Sequence, residues 1–412
     1  MLVQAITTEI KIGHPPSCRD LERIRNIASI LTFRPELAQF PGSSLLCPIQ
    51  FEYTRLESPA MKRRLGFIPV ISLAGFLFAA TVPKFDPLPA PVSNNAVASV
   101  KSRGALLLFS FMGIGPKKTW DAVTNVAYSL DPDSGKWAEL RPVPGTSGRL
   151  AASAVGAREH VFLFGGYVID AQGGETTLSD VDVYEPLTDR WFRAEDIPIP
   201  VDDSVAGVYR DRYIYLVSGW SKTDAVRDVQ LYDAQKNKWS QVTPISGTPV
   251  FGHSGALVGD TIVYVGGAYK NPTANQPKYV ASDECWMGKI DHHDPSKIQW
   301  SKLPNHPGAA RYRIAAGGSE KDQMIYFSGG TNNPYNYNGI GYDGKLSEPS
   351  PVNFAFNLRS SKWETIDANT PNPTMDHRGL VVIPEGVVIV GGMEKGAQVT
   401  PRVTILSKQR KK

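Results

Sequence analysis

Short apolar runs of four to seven residues recur along the chain, and each breaks at a pair of small residues. They are ALLLFSF before Met112-Gly113, HVFLF before Gly165-Gly166, YIYLV before Ser218-Gly219, TIVYV before Gly266-Gly267, MIYFS before Gly329-Gly330 and VVIV before Gly391-Gly392. The second members of these pairs lie 48 to 63 residues apart. After each pair comes a second patterned run, such as DVDVYE, DVQLYD or NFAFNL, and then Trp137, Trp191, Trp239, Trp300 and Trp363 in the first five units. Leu130, Tyr184, Tyr232 and Phe356 each precede their tryptophan by seven residues. Runs this short, punctuated by 37 Gly and 32 Pro, read as strands and turns. A repeated period of this size predicts a repeat architecture.

One unit is four short strands, a twisted sheet that cannot bury both faces alone. Stacking such sheets radially buries them, with the tryptophan filling the gap between neighbours. Glycine at the end of the inner strand permits a positive φ and close backbone approach.

An apolar run, a Gly-Gly pair, an aromatic in the third strand and a Trp in the fourth resemble the kelch repeat, over about residues 83–407. The resemblance implies an all-β fold, a six-bladed kelch-type β-propeller. The Trp-Asp dipeptide of a competing propeller family occurs once, at Trp120-Asp121, and does not recur in phase. The sixth unit has no tryptophan. The segment Lys84-Phe85-Asp86-Pro87-Leu88-Pro89 is similar to those ending other units, so the ring is expected to close by an N-terminal strand with Phe85 in the tryptophan's place.

Upstream, Met61-Lys62-Arg63-Arg64 precedes about 16 mostly apolar residues, the pattern of a signal peptide. The expected organisation is an unstructured or mis-called extension over 1–60, a signal peptide or membrane anchor over 61–81, the propeller over 82–407 and a basic tail over 408–412. A periplasmic or extracellular location follows from that reading. Cys18, Cys47 and Cys285 match no zinc spacing. A net charge of +4 on 412 residues, with no stacking motif beside a basic stripe, gives no reason to expect nucleic-acid binding.

The turns between third and fourth strands are short (DPDSGK, PLTDR, AQKNK, LRSSK), whereas the connections after the small pairs are long and varied. Long loops beyond hairpin need are commonly functional, which selects their face for recognition. Aligned strand openings put Asn95, Arg149 (or Leu150), Asp203, His253, Tyr312 with Arg313, and His377 with Arg378 around the mouth of the channel. The kelch resemblance implies ligand contacts at such rim positions. Arginines suit an anionic group and tyrosines a sugar ring, and Tyr335, Asn336, Tyr337, Asn338 and Tyr342 in the fifth loop carry the same chemistry. The leading expectation is a carbohydrate or anionic-sugar binder without a cofactor, and a protein-interaction scaffold is a further alternative.

Two enzyme resemblances bear on the site. The overall plan resembles the bacterial sialic-acid mutarotase group, which implies an acid and an arginine. The matching step here is Ser218-Gly219-Trp220 with Arg227, so Trp220 stands where the acid belongs; Glu394 or Asp203 is the substitute. Cys285-Trp286 resembles the copper enzyme galactose oxidase, but its ligand set is not assembled. Asp291-His292-His293-Asp294 occupies a short-turn slot, which argues against a metal there.

Overall fold

A computed structural model describes residues 84–145 and 147–408. Five antiparallel sheets of four strands and one of three follow one another along the chain. The first runs Ala96–Ser102, Ala105–Ile114, Val123–Asp131 and Lys136–Glu139. Blade 2 opens at Ser153–Ala157, blade 3 at Val205–Tyr209, blade 4 at Ser254–Val258 and blade 5 at Ala315–Ser319. Blade 6 has Val381–Ile383, Gly386–Val390 and Val403–Leu406. This is the expected six-bladed propeller.

The seven-residue spacing has a direct cause. It places each pair opposite one another across the last hairpin: Leu130 with Trp137, Tyr184 with Trp191, Tyr232 with Trp239, and Phe356 with Trp363. The ring centroids of the three aromatic pairs are 4.8 to 5.0 Å apart, so the pair buries as one unit. Each indole also reaches the preceding segment of chain. Trp191, Trp239 and Trp363 donate Nε1–H to the carbonyls of Arg141, Glu195 and Pro304 at 2.7 to 2.9 Å. The tryptophan therefore wedges blades apart with its ring and ties them with its nitrogen.

The small pairs end the second strands in left-handed backbone. Gly165 and Gly166 have φ of 55° and 89°, and Ser218 and Gly219 have 53° and 119°. A Cβ on Gly166 would lie 2.6 Å from the Leu150 carbonyl oxygen. The second position therefore requires glycine, whereas the first tolerates Met112 or Ser218. Beyond the pair, the chain forms a small ribbon in four blades: Tyr167–Ile169 with Glu175–Thr177, Trp220–Ser221 with Asp224–Ala225, Ala268–Lys270 with Tyr279–Ala281, and Met393–Glu394 with Gln398–Val399.

The expected closure by an N-terminal strand is overturned. Among the described residues the last sheet has three strands, and Lys84–Pro89 adds none. Pro87 and Pro89 have no N–H to give to a ladder. The amides on either side of Pro87 instead diverge: Asp86 donates to Gly135 in blade 1 at 2.9 Å, and Leu88 to Pro401 in blade 6 at 2.8 Å. The Leu88 bond is the counterpart of those from Val143, Ile197 and Ile245 in blades 1 to 3. In that register Phe85 matches Leu140, Ala194 and Val242, not a tryptophan. Phe85 and Leu88 are nonetheless buried with Val381, Ile383, Val388 and Val390. The expected extension and signal segment lie outside the described residues. Of the basic tail only Lys408 is described, with its Nζ 2.9 Å from Asp322.

Candidate functional site

Six residues ring the axis on the side of the long connections. Ser93, Leu150, Asp202, Phe251, Tyr312 and Met375 each form a single antiparallel bridge with the residue following a small pair: Ile114, Tyr167, Trp220, Ala268, Thr331 and Met393. The residue after each then turns left-handed. These are Asn94, Ala151, Asp203, Gly252, Arg313 and Asp376, with φ from 49° to 71°. Such backbone costs about 1 kcal/mol or more at a non-glycine position and persists only when its surroundings enforce it.

A circuit of hydrogen bonds supplies that enforcement. Asp203 N–H donates to Ala151 O, Gly252 to Asp203 O, Arg313 to Gly252 O and Asn94 to Asp376 O, at 2.7 to 3.1 Å. The Asn94 side-chain oxygen accepts from Ala151 N–H at 2.5 Å, and His377 N–H completes the round to Arg313 O at 3.2 Å.

Against this frame, the sequence-predicted residues occupy several registers. Asp203 and Arg313 are ring members. Asn95, His253 and His377 lie one residue beyond the ring, Arg378 two beyond, Tyr312 one before and Arg149 two before. Four of the charged side chains at the axis converge. Arg313 donates to Asp203 Oδ2 from Nη2 at 2.8 Å and to Asp376 Oδ1 from Nη1 at 3.1 Å. Arg378 Nη2 lies 2.9 Å from Asp203 Oδ1. The Arg313 guanidinium also lies over the Tyr312 and Tyr335 rings, 5.0 and 5.3 Å from their centroids.

All four charges are buried, so pairing is obligatory. Burial pushes the Asp203 carboxyl up, but Arg313 and then Arg378 outweigh it and hold it below the usual range. Burial likewise opposes the charge on Arg313, and Asp203 leads the groups that overcome this and raise it.

The other candidates are used elsewhere. Asn95 donates to Ser110 Oγ at 2.8 Å, and Arg149 pairs with Asp182 at 2.7 Å. His253 Nε2–H donates to the Val217 carbonyl at 2.9 Å, and the His377 ring meets Thr374 Oγ1 at 2.8 Å. Burial pushes His253 down to about 4 and His377 to about 3. Exposed Arg227 reaches the Ile245 carbonyl at 3.3 Å, and Glu394 pairs with Arg402 at 2.8 Å. Neither lines the pocket described next. His292 and His293 sit in the short turn after Cys285–Ile290; among the described residues no His, Cys, Asp and Glu group could hold a metal.

Outside the charged ring lies a pocket of about 300 Å³. Its wall is aromatic, made by Tyr167, Trp220, Phe251, Tyr279 and Tyr342; Asp203 and Arg313 reach its floor. The wall is braced edge to face: Trp220 on Phe251 at 5.3 Å, Phe251 on Tyr279 at 5.2 Å, and Tyr279 on Tyr342 at 4.7 Å. On the other side of Asp203 is the axial channel, a cavity of about 250 Å³ lined by the first strands. The ion pairs thus plug the axis between the two spaces.

Sequence reasoning passed over most of this wall. Tyr167 and Trp220 immediately follow the small pairs, and that position carries a signal: it is where the chain leaves the blade for the ribbon. Tyr342 fell within the loop selected for its chemistry. Asp202 and Asp376 stand beside selected residues and were missed by a one-residue uncertainty in register.

The architecture and repeat chemistry define a class, and comparison with known proteins agrees with it. Residues 81–267 match the family model described as the KLHDC2/KLHL20/DRC7 Kelch-repeats domain. Over those residues, fewer than half of the chain, it is similar to the kelch-repeat β-propellers, and its six-bladed fold agrees with that match. It is 31% identical over 118 residues to Kelch-like protein 15 of Gallus gallus, covering 28% of this chain and 23% of that protein. With Kelch-like protein 15 of Homo sapiens it shares 24% over 255 residues, 57% of this chain and 37% of the relative. Kelch-like protein terF of Aspergillus terreus is 26% identical over 216 residues, 50% of this chain and 46% of the relative. The chain thus spans less than half the length of these curated relatives. Among solved structures, that of YjhT superposes with a TM-score of 0.62 at 16% identity, covering 80% of this chain and 98% of that one.

Proposed function

We propose that this propeller binds a carbohydrate in the outer pocket of its long-connection face. The observation that carries the reading is the pocket's construction, five aromatic side chains around a floor of hydrogen-bonding groups. Aromatic faces take the apolar faces of a sugar ring, while fixed polar groups meet its hydroxyls. Rigid walls keep the ordering cost of binding low.

The anion-binding role expected of the rim arginines is narrowed by the same geometry. Arg149, Arg313 and Arg378 already hold carboxylates, so a ligand anion would have to displace an internal partner. The exposed Lys222 and Lys278 at the pocket mouth are the cations left for it.

A glycan array followed by calorimetry tests the reading. Binding of one glycan class, weakened tenfold or more by Trp220→Ala and by Tyr342→Ala in folded protein, is the expected result. Glycan binding untouched by both substitutions would move the site elsewhere. Silence across the array together with capture of a peptide ligand would replace carbohydrate by protein recognition.

A further inference from the structure

The bridge position before the axial ring is Ser93, Leu150, Phe251, Tyr312 and Met375 in five blades, all of them small or apolar enough to pack. In blade 3 it is Asp202. Both backbone groups of Asp202 are committed to Trp220, its N–H to Trp220 O and its carbonyl to Trp220 N–H, each at 2.9 Å. Packing gives no reason for a carboxyl here, and the side chain lines the outer pocket while only 4% exposed.

Its partners are unlike those of its neighbour. Asp203 has two arginines, whereas Asp202 accepts one hydrogen bond, from Thr177 Oγ1 to Oδ2 at 2.7 Å. Among the described residues no cation lies within ion-pairing distance of it; the nearest pocket guanidinium, Arg313, is divided between Asp203 and Asp376. The charged and titratable groups around it come from four elements. The blade 2 ribbon brings Tyr167 and Glu175, the blade 3 ribbon Lys222, the blade 4 ribbon Lys278 and Tyr279, and blade 5 Arg313 and Tyr342. Asp203 completes the set. A buried carboxyl beside an ionised one, with no cation of its own, keeps its proton. Burial first, and then the Asp203 charge, push Asp202 well above the usual carboxylate range.

We propose that Asp202 is a specificity-determining residue of the outer pocket, donating its carboxyl O–H to an oxygen acceptor of the bound sugar. The inference rests on the carbohydrate reading. When Asp202 loses its proton, the donor becomes a second carboxylate beside Asp203, facing the ligand's lone pairs. Affinity for an uncharged sugar therefore falls as pH rises, in the direction opposite to a site read by an ionised carboxylate.

The test uses neutral methyl glycosides of glucose, galactose and mannose, which carry no titrating group, with calorimetry from pH 5 to 8.5. Wild-type affinity is expected to fall as pH rises across that range. Asp202→Asn, whose amide donates without titrating, is expected to give a flat profile; thermal melting confirms its fold. A flat wild-type profile, or an Asn variant that keeps the wild-type slope, overturns the inference and leaves the carbohydrate reading standing. Binding of no glycoside at any pH overturns both. Infrared difference spectroscopy of wild type against Asp202→Asn at pH 7 is independent of any ligand. A carboxylic-acid carbonyl band is expected, and its absence overturns the inference.

Discussion

The blade interfaces and the axial ring of this propeller are built from opposite materials. Between blades, a tryptophan, its cross-strand partner and one indole hydrogen bond recur with little change, at Trp191, Trp239 and Trp363. At the axis, the backbone repeats six times but the side chains largely do not: Asn94, Ala151, Asp203, Gly252, Arg313 and Asp376 share a conformation, and only the two aspartates share a side chain. Where every copy needs the same packing, the sequence repeats. Where one molecule needs one asymmetric site, the frame repeats and the residues diverge.

The largest effect should come from breaking the axis. Arg313→Met leaves Asp203 and Asp376 short of their shared cation inside the protein, and removing one partner of a buried ion network costs about 3–5 kcal/mol. Denaturant unfolding measures this. Asp203→Asn combined with Arg313→Met should recover part of the loss, because fewer charges are then left unpaired. Strict additivity of the two changes would show that the four side chains do not act as one unit.

Breaking an interface should cost somewhat less but generalise across the ring. Trp239→Ala removes the ring that packs on Tyr232 and Phe164 at 5.0 and 5.8 Å, together with its bond to Glu195 O. The indole is only partly buried, so the loss falls toward the lower end of the 3–5 kcal/mol typical of a buried aromatic, about 3 kcal/mol. Trp191→Ala should match it within about 1 kcal/mol, since the surroundings repeat. Arg313 has no counterpart in another blade, so no second substitution should reproduce its effect.

This contrast also explains what could be read from the sequence. The six units, the strand order and the tryptophan wedge were legible because each rests on a spacing that recurs: seven residues from Tyr184 to Trp191, and again from Tyr232 to Trp239. The axial site was only partly legible. Asp203 and Arg313 were selected, but Asn95 and His253 stand one residue past the ring. No local propensity marks which residue of Val201-Asp202-Asp203-Ser204 turns left-handed. The register is fixed instead by the bridges to residues such as Trp220, which are contacts between segments about 17 to 21 residues apart. The closing strand failed for a different reason. The similarity of the Phe85 segment to the other exits was real at Leu88, but three residues out of step at Phe85. Alternate prolines then removed the amides that a ladder requires.

The axis should also make itself known through pH, at an amplitude comparable to the interface substitution. His253 is buried with its proton on Nε2 committed to Val217 O, and burial lowers it to about 4. The unfolded chain takes up a proton near the ordinary value of about 6.5, while the folded protein resists until about 4. Between those limits the unfolded state binds more protons, so folding stability is full above about pH 6.5 and declines as pH falls. The shift corresponds to about 3 kcal/mol at the acid end. His377, pushed to about 3 by burial and then by Arg378, adds a loss of the same sign reaching lower. Urea unfolding of wild type against His253→Gln from pH 7 to pH 4 isolates this share, because Asp202, pushed up by burial, holds its proton in the folded state and works in the opposite direction. His253→Gln, which cannot titrate, should remove the His253 share of the decline and leave that of His377, even if the variant is less stable at pH 7. An unchanged slope would assign the acid sensitivity above pH 4 to groups other than His253. Asp203, held below its usual range, yields its stability only as pH falls below the ordinary aspartate value of about 3.9, so the two sources separate along the pH axis.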